Sequence, residues 1–162
     1  MSDIALPGAA DFLAAVAKPF DSDEFNVIAK ALGISWADVS RLDRGLHIYD
    51  ISLSQRGLRF TFEDEGILLE REYHDPGEGP FVLTKCTFWG HEKSVQPYSG
   101  DLWKGVDFND SLEQVLAKVG EPSKVNERDS IYAWIYPDYK VTIHWQVPDK
   151  IRVLTFWMMR PA

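Results

Sequence analysis

One stretch, Asp110 to Trp157, constrains the fold more than any other part of the chain. It opens with DSLEQVLAKVGEPSKV, residues 110–125. Asp110 or Ser111 supplies a helix cap, and Leu112, Val115, Leu116 and Val119 recur at helical spacing. Gly120 is placed to stop that helix, and Pro122 keeps it from resuming. Three strand-like runs follow: Ser130 to Tyr136, Tyr139 to Gln146 and Lys150 to Met158. Their turns carry Pro137-Asp138 and Pro148-Asp149. The stretch therefore reads as a short helix followed by an antiparallel meander.

A unit of one helix and three strands buries too little apolar surface to stand alone. The first half of the chain reads as a looser copy of it. Ala9 to Phe20 carries Phe12, Leu13 and Val16 as an apolar helical stripe and is closed by Pro19. Ser22 to Leu32 is a second helix, with Asp21 or Ser22 as cap, Phe25, Ile28 and Leu32 on one face, and Gly33 as stop. Trp36 to Arg41 adds a turn. Strands are predicted over Leu46 to Ser52, Gly57 to Glu63, Ile67 to Tyr73 and Phe81 to Trp89, with a Gly/Pro-rich loop from His74 to Pro80.

Aligning the halves sets IAKALG (28–33) against VLAKVG (115–120), Tyr49 near Tyr132, and GLRFTF (57–62) against KVTIHW (140–145). Ile67 to Tyr73 then falls on Ile151 to Trp157, which leaves the first copy with an added helix and an added strand. The predicted class is α+β, built from tandem helix-plus-antiparallel-meander units with the helices on one face of the sheet. The segments are an N-terminal helix in 1–21, the first unit in 22–89, a polar connector in 90–109 and the second unit in 110–162, all in one compact domain. In the strand at 131–136, Ile131, Ala133 and Ile135 are assigned to the helix side. Tyr132, Trp134 and Tyr136 are assigned to the uncovered side, although the pattern leaves the reverse open.

The 162 residues are 45% hydrophobic and 13% aromatic, enough for a packed core, with a formal net charge of −8. That balance argues against a sequence-independent nucleic-acid binder, which needs a basic track. It suits a basic protein partner or a surface kept for solubility. A single cysteine, Cys86, lies in an alternating run and reads as a buried thiol. The first twenty residues lack the charge pattern of a signal peptide, and no run approaches a membrane span, so the cytoplasm is the expected compartment.

No catalytic signature stands out. His47, His74, His91 and His144 have no metal-ligand spacing, the serines lack a nucleophile elbow, and the Gly77-Gly79 loop is followed by neither a helix start nor a lysine. Asp64, Glu65, Glu70, Glu72 and Asp138 include pairs able to converge, but carboxylates of this kind more often form a solvated strand face. The expectation is therefore no enzyme, no cofactor and no metal.

Two passages carry a family resemblance. The first is YSGDLWKGVDFNDSLEQVLAKVGEP (98–122) with the closing KIRVLTF (150–156), and the second is GLRFTFED (57–64). Together they resemble the cytosolic immunity proteins encoded beside bacterial polymorphic and type VI secreted toxins. The helix-plus-meander repeat is also similar in outline to the tandem units of the beta-lactamase inhibitory proteins. The resemblance implies inhibition by binding: a cognate toxin whose active site or substrate entrance is covered, with no contact to nucleic acid or membrane. A basic, nuclease-like toxin would suit the acidic chain. Candidate partner contacts are Asp64, Glu65, Trp103, Trp134 and Tyr136, with core packing and solvation as the competing reading. The alternatives are an adaptor or chaperone that binds an effector without inhibiting it, and a small hydrolase with an undetected site.

Overall fold

In the computed structural model, residues 5–35, 40–41, 47–148 and 150–160 are described. Helix α4, Leu112–Val119, begins where the sequence places it. Ser111 Oγ accepts from the Gln114 amide, and the Gln114 side chain accepts from the Ser111 amide, so two otherwise orphaned N–H groups are satisfied. Helix α2, Asp23–Leu32, is capped by Ser22 and stopped by Gly33 in the left-handed region. Helix α1, Ala9–Ala15, ends before Pro19 because Ala17 takes a left-handed turn and its amide donates to the Leu83 carbonyl.

The strands are β1 (Ser40–Arg41), β2 (Ile48–Leu53), β3 (Leu58–Asp64), β4 (Phe81–Trp89), β5 (Lys124–Asn126), β6 (Ile131–Ile135), β7 (Tyr139–Val147) and β8 (Lys150–Met158). They form one antiparallel sheet in the order β1-β2-β3-β4-β8-β7-β6-β5. Each half thus contributes a helix, a short strand and a three-stranded meander, and the halves meet through their last strands. The α+β tandem architecture is as read from the sequence.

The internal correspondence differs at one step. Ile67 to Tyr73 is not a strand: a single helical turn, α3 (Glu65–Leu68), is followed by turns. Asp64 caps that turn, and the Leu69 amide returns to Glu65. The strand matching β8 is therefore β4, so the first copy has no surplus strand. The turn predicted at Trp36 to Arg41 falls largely outside the described residues, as does Leu46.

One face of the sheet is sealed by the helices. In the first half the seal is made by phenyl rings. Phe12 meets Phe88 edge-on at 4.8 Å, and Phe25 meets Phe60 and Phe62 at 5.4 and 5.0 Å. In the second half two indoles tie α4 down at both ends: Trp145 donates to the Asp110 carbonyl and Trp134 to that of Gly120, each at 3.0 Å. Burying each such ring contributes roughly 1.5–3 kcal/mol.

This packing reverses the predicted facing of β6. Tyr132, Trp134 and Tyr136 point to the helices, where they stack with Trp145, Trp103 and Tyr139. Ile131, Ala133 and Ile135 occupy the uncovered side. The physical reason is size: indole and phenol rings fill the space under α4, which small aliphatic side chains would leave as voids.

Candidate functional site: the uncovered sheet face

Among the described residues no helix covers the other face. Its residues follow from strand alternation. Because Cys86 and Phe88 are buried in the core, Lys85, Thr87 and Trp89 project the opposite way. By the same rule Val153, Thr155 and Trp157 project from β8, and Lys140, Thr142 and His144 from β7.

The register sets these side chains in rows. One row runs Asp50, Thr61, Lys85, Trp157, Lys140, Ile135, each opposite the next on the neighbouring strand. Facing side chains on paired strands lie about 5 Å apart, so Trp157 is flanked by two lysines. The Lys85 and Lys140 ammonium groups stand 4.9 and 4.7 Å from the Trp157 ring centroid. The Trp157 indole N–H donates to Thr142 Oγ1 at 2.8 Å, which fixes the ring. Neither lysine has a carboxylate within ion-pair distance among the described residues.

The next row runs Arg59, Thr87, Thr155, Thr142, Ala133. Beyond it Trp89 stands 6.0 Å from the Arg59 guanidinium. The tripeptide Thr-Phe-Trp occurs at 87–89 and again at 155–157, and Thr87 pairs with Thr155 at the junction of the halves. Phe88 and Phe156 go into the core while Trp89 and Trp157 go to the open side. That repeated tripeptide was the available signal for this face.

A groove of about 570 Å³ runs along the face over β2, β3, β4 and β8. Arg59, Lys85, Lys140 and Arg160 border the face, against the carboxylates of Asp50 and Glu63, and Lys124 stands opposite Ala133 at its β5 edge. The chain is acidic overall, yet this surface is not. Arg160 pairs with Glu63 at 3.6 Å, and Arg59 with Asp50 at 3.4 Å. Burial raises the Asp50 pKa above its ordinary value, opposed in part by Arg59, Ser52 and Lys85, and its Oδ1 has no hydrogen-bond partner.

The sequence-predicted contacts lie elsewhere. Trp103 is 1% exposed and Trp134 2% exposed, so both are core residues and not surface anchors. Tyr136 is half-buried between Trp103 and Tyr139, and its hydroxyl accepts from Lys104. Trp103, Trp134 and Tyr136 are therefore brought together, but beneath α4. Asp64 is fully buried and unavailable to a partner. It accepts from the Gly66, Gly77 and Gly79 amides at 3.0, 2.8 and 3.2 Å and pairs with His74 Nε2 at 2.6 Å. Burial alone would raise its pKa, but these donors outweigh it and hold the carboxyl below its ordinary value. Glu65 is partly exposed and paired with Arg71 at 2.8 Å.

Asp64 thus staples the 65–80 loop, which carries Glu65, Glu70, Glu72, Asp75 and Glu78 against the single guanidinium of Arg71. Tyr73, on that loop, is 100% exposed and adopts a left-handed backbone with φ 59°. Gly66 lies so close to the His74 ring that a Cβ there would sit about 2.2 Å from it. Sequence reasoning missed Tyr73 because the run Ile67 to Tyr73 imitates a strand.

His74 Nδ1 faces Glu78 at 3.3 Å, so the Asp64–His74 pair holds a loop and addresses no nucleophile. Burial raises the Cys86 thiol pKa far above the range in which a thiolate forms. Among the described residues no cluster of three or more His, Cys, Asp or Glu has metal-binding geometry, and no helix is long and apolar enough to cross a membrane. Comparison of the chain with family models, with characterised proteins and with solved structures finds no match.

Proposed function

We propose that the chain is a cytoplasmic inhibitor of the immunity type, which binds a cognate bacterial toxin and covers its active site without catalysing a reaction. The observation that carries this reading is the uncovered face of the eight-stranded sheet, with Trp157 held between Lys85 and Lys140. A rigid sheet presents such side chains already ordered, so little conformational entropy is lost on docking. Trp and Arg are among the side chains most enriched in interface anchors, and the face presents Trp157 and, beside it, Trp89 with Arg59. The face is broad and open, which suits a protein surface better than a small substrate. The 65–80 loop is a second, oppositely charged feature for the same partner, with Tyr73 at its most exposed point.

The test is co-expression with the product of the adjacent upstream gene, read as growth rescue and as a one-to-one complex on pull-down. Rescue together with complex formation supports inhibition. A complex without rescue favours the adaptor reading. Absence of both removes the proposal.

A further inference from the structure

We infer that the contact made by the uncovered sheet face is with an acidic segment of the partner, and not with a basic one as the net charge of the chain suggests. The inference rests on the docking role proposed for that face and adds the chemistry of its occupant.

Lys85 and Lys140 lie on strands separated only by β8, and both ammonium groups converge on the Trp157 ring. Two like charges held on one ring repel each other; Asp50 acts on Lys85 only from beyond ion-pair distance, and neither lysine makes an ion pair with a carboxylate among the described residues. The ring side is also partly dehydrated, which strengthens the pull on an incoming anion. An aspartate or glutamate placed beside Trp157 relieves that repulsion. An incoming lysine or arginine would add to it. Thr87 and Thr142 flank the buried Thr155 in an uncharged row beside the station, so no carboxylate stands there to repel an anion.

The acidic surround sets the size of the occupant. The chain carries a net charge of −8, whereas on this face Arg59, Lys85, Lys140 and Arg160 outnumber Asp50 and Glu63. A long polyphosphate would overhang into the acidic surround, whereas a short acidic protein segment would not. The two charged regions then have separate duties: the sheet face meets carboxylates, and the acidic 65–80 loop meets whatever basic rim surrounds them. Contacts of opposite sign on one partner fix its orientation.

A displayed library of random twelve-residue peptides, panned on the full chain, tests this. The expected result is enrichment of Asp and Glu, with affinity falling about tenfold in Lys85→Ala/Lys140→Ala and falling again as salt rises. Thr142→Arg, which blocks the face sterically, abolishes capture; Thr87→Trp, a bulky neutral block on the same face, serves the same purpose should Thr142→Arg fail to fold. Enrichment of basic or apolar peptides that are still lost on blocking would overturn the acidic assignment and leave the docking face intact. Selected peptides indifferent to the block would remove the docking face itself. No enrichment, or tighter capture of a twenty-residue oligothymidine at this face, would also overturn the inference.

Discussion

The two faces of the sheet carry the same kinds of ring and use them for opposite ends. On the helix side Trp134 and Trp145 have their N–H groups bonded to the backbone at either end of α4, and their rings are sealed. On the open side Trp157 has its N–H bonded to a neighbouring strand's threonine and its ring flanked by ammonium groups. A tryptophan count therefore says little about binding. What separates an anchor from a core residue is whether its partners come from another layer or from the same sheet face.

The comparison is broken most sharply by truncating one residue type on each face. Trp134→Ala is expected to cost about 3–5 kcal/mol, since it opens a cavity and orphans the Gly120 carbonyl. Trp157→Ala is expected to cost about 1 kcal/mol and to abolish partner binding. Urea denaturation of the pair measures both, and equal losses would erase the distinction between the faces.

Next in size is the staple of the 65–80 loop. Asp64→Ala leaves the Gly66, Gly77 and Gly79 amides without their acceptor and is expected to cost about 3 kcal/mol. Limited proteolysis should then cut within the loop before the sheet unfolds. Cutting elsewhere first would show that the loop is held by other contacts.

Smaller effects separate two of the buried aspartates, Asp64 and Asp50, by pH. The Asp64 folded pKa lies below the ordinary 3.8. Its contribution is complete above the unfolded value and is lost as pH falls through the folded value. Asp50 runs the other way. Its folded pKa lies above 3.8, so its contribution is present below that value and lost as pH rises through the folded one. Asp50→Asn should therefore gain stability relative to the parent as pH rises from about 4 toward neutrality. Denaturation midpoints across pH 3 to 7 read both signs, and a parallel pH dependence for the two variants would contradict the assignment.

Smallest of all, Lys85→Ala and Lys140→Ala should each change stability by under about 1 kcal/mol, as expected for half-exposed cation–ring contacts. A larger loss would mean that the lysines hold the sheet together and do not serve its open face.

Much of this architecture is legible in the sequence because its signals are local. Ser111 with Gln114, Ser22 with Gly33, and the Pro137-Asp138 turn bracket elements near to them in the chain. The facing of β6 was not legible in this way. Both parities of 131–136 are apolar, so alternation gives no direction, and only the ring-sized space under α4 decides it. Ile67 to Tyr73 misled for a related reason. The loop is closed by Asp64 bonding to Gly77 and Gly79, more than ten residues away, and no local pattern records that. The open face had one sequence signal, the repeated Thr-Phe-Trp at 87–89 and 155–157, which would also have aligned β4 with β8.

The most direct measurement is growth of cells that express the adjacent upstream gene, proposed to encode the toxin, together with Thr142→Arg, a substitution on the open face and away from the core. With the parent chain's melting temperature retained, the account predicts loss of protection and loss of the complex. Full protection by folded Thr142→Arg would mean that the partner docks elsewhere.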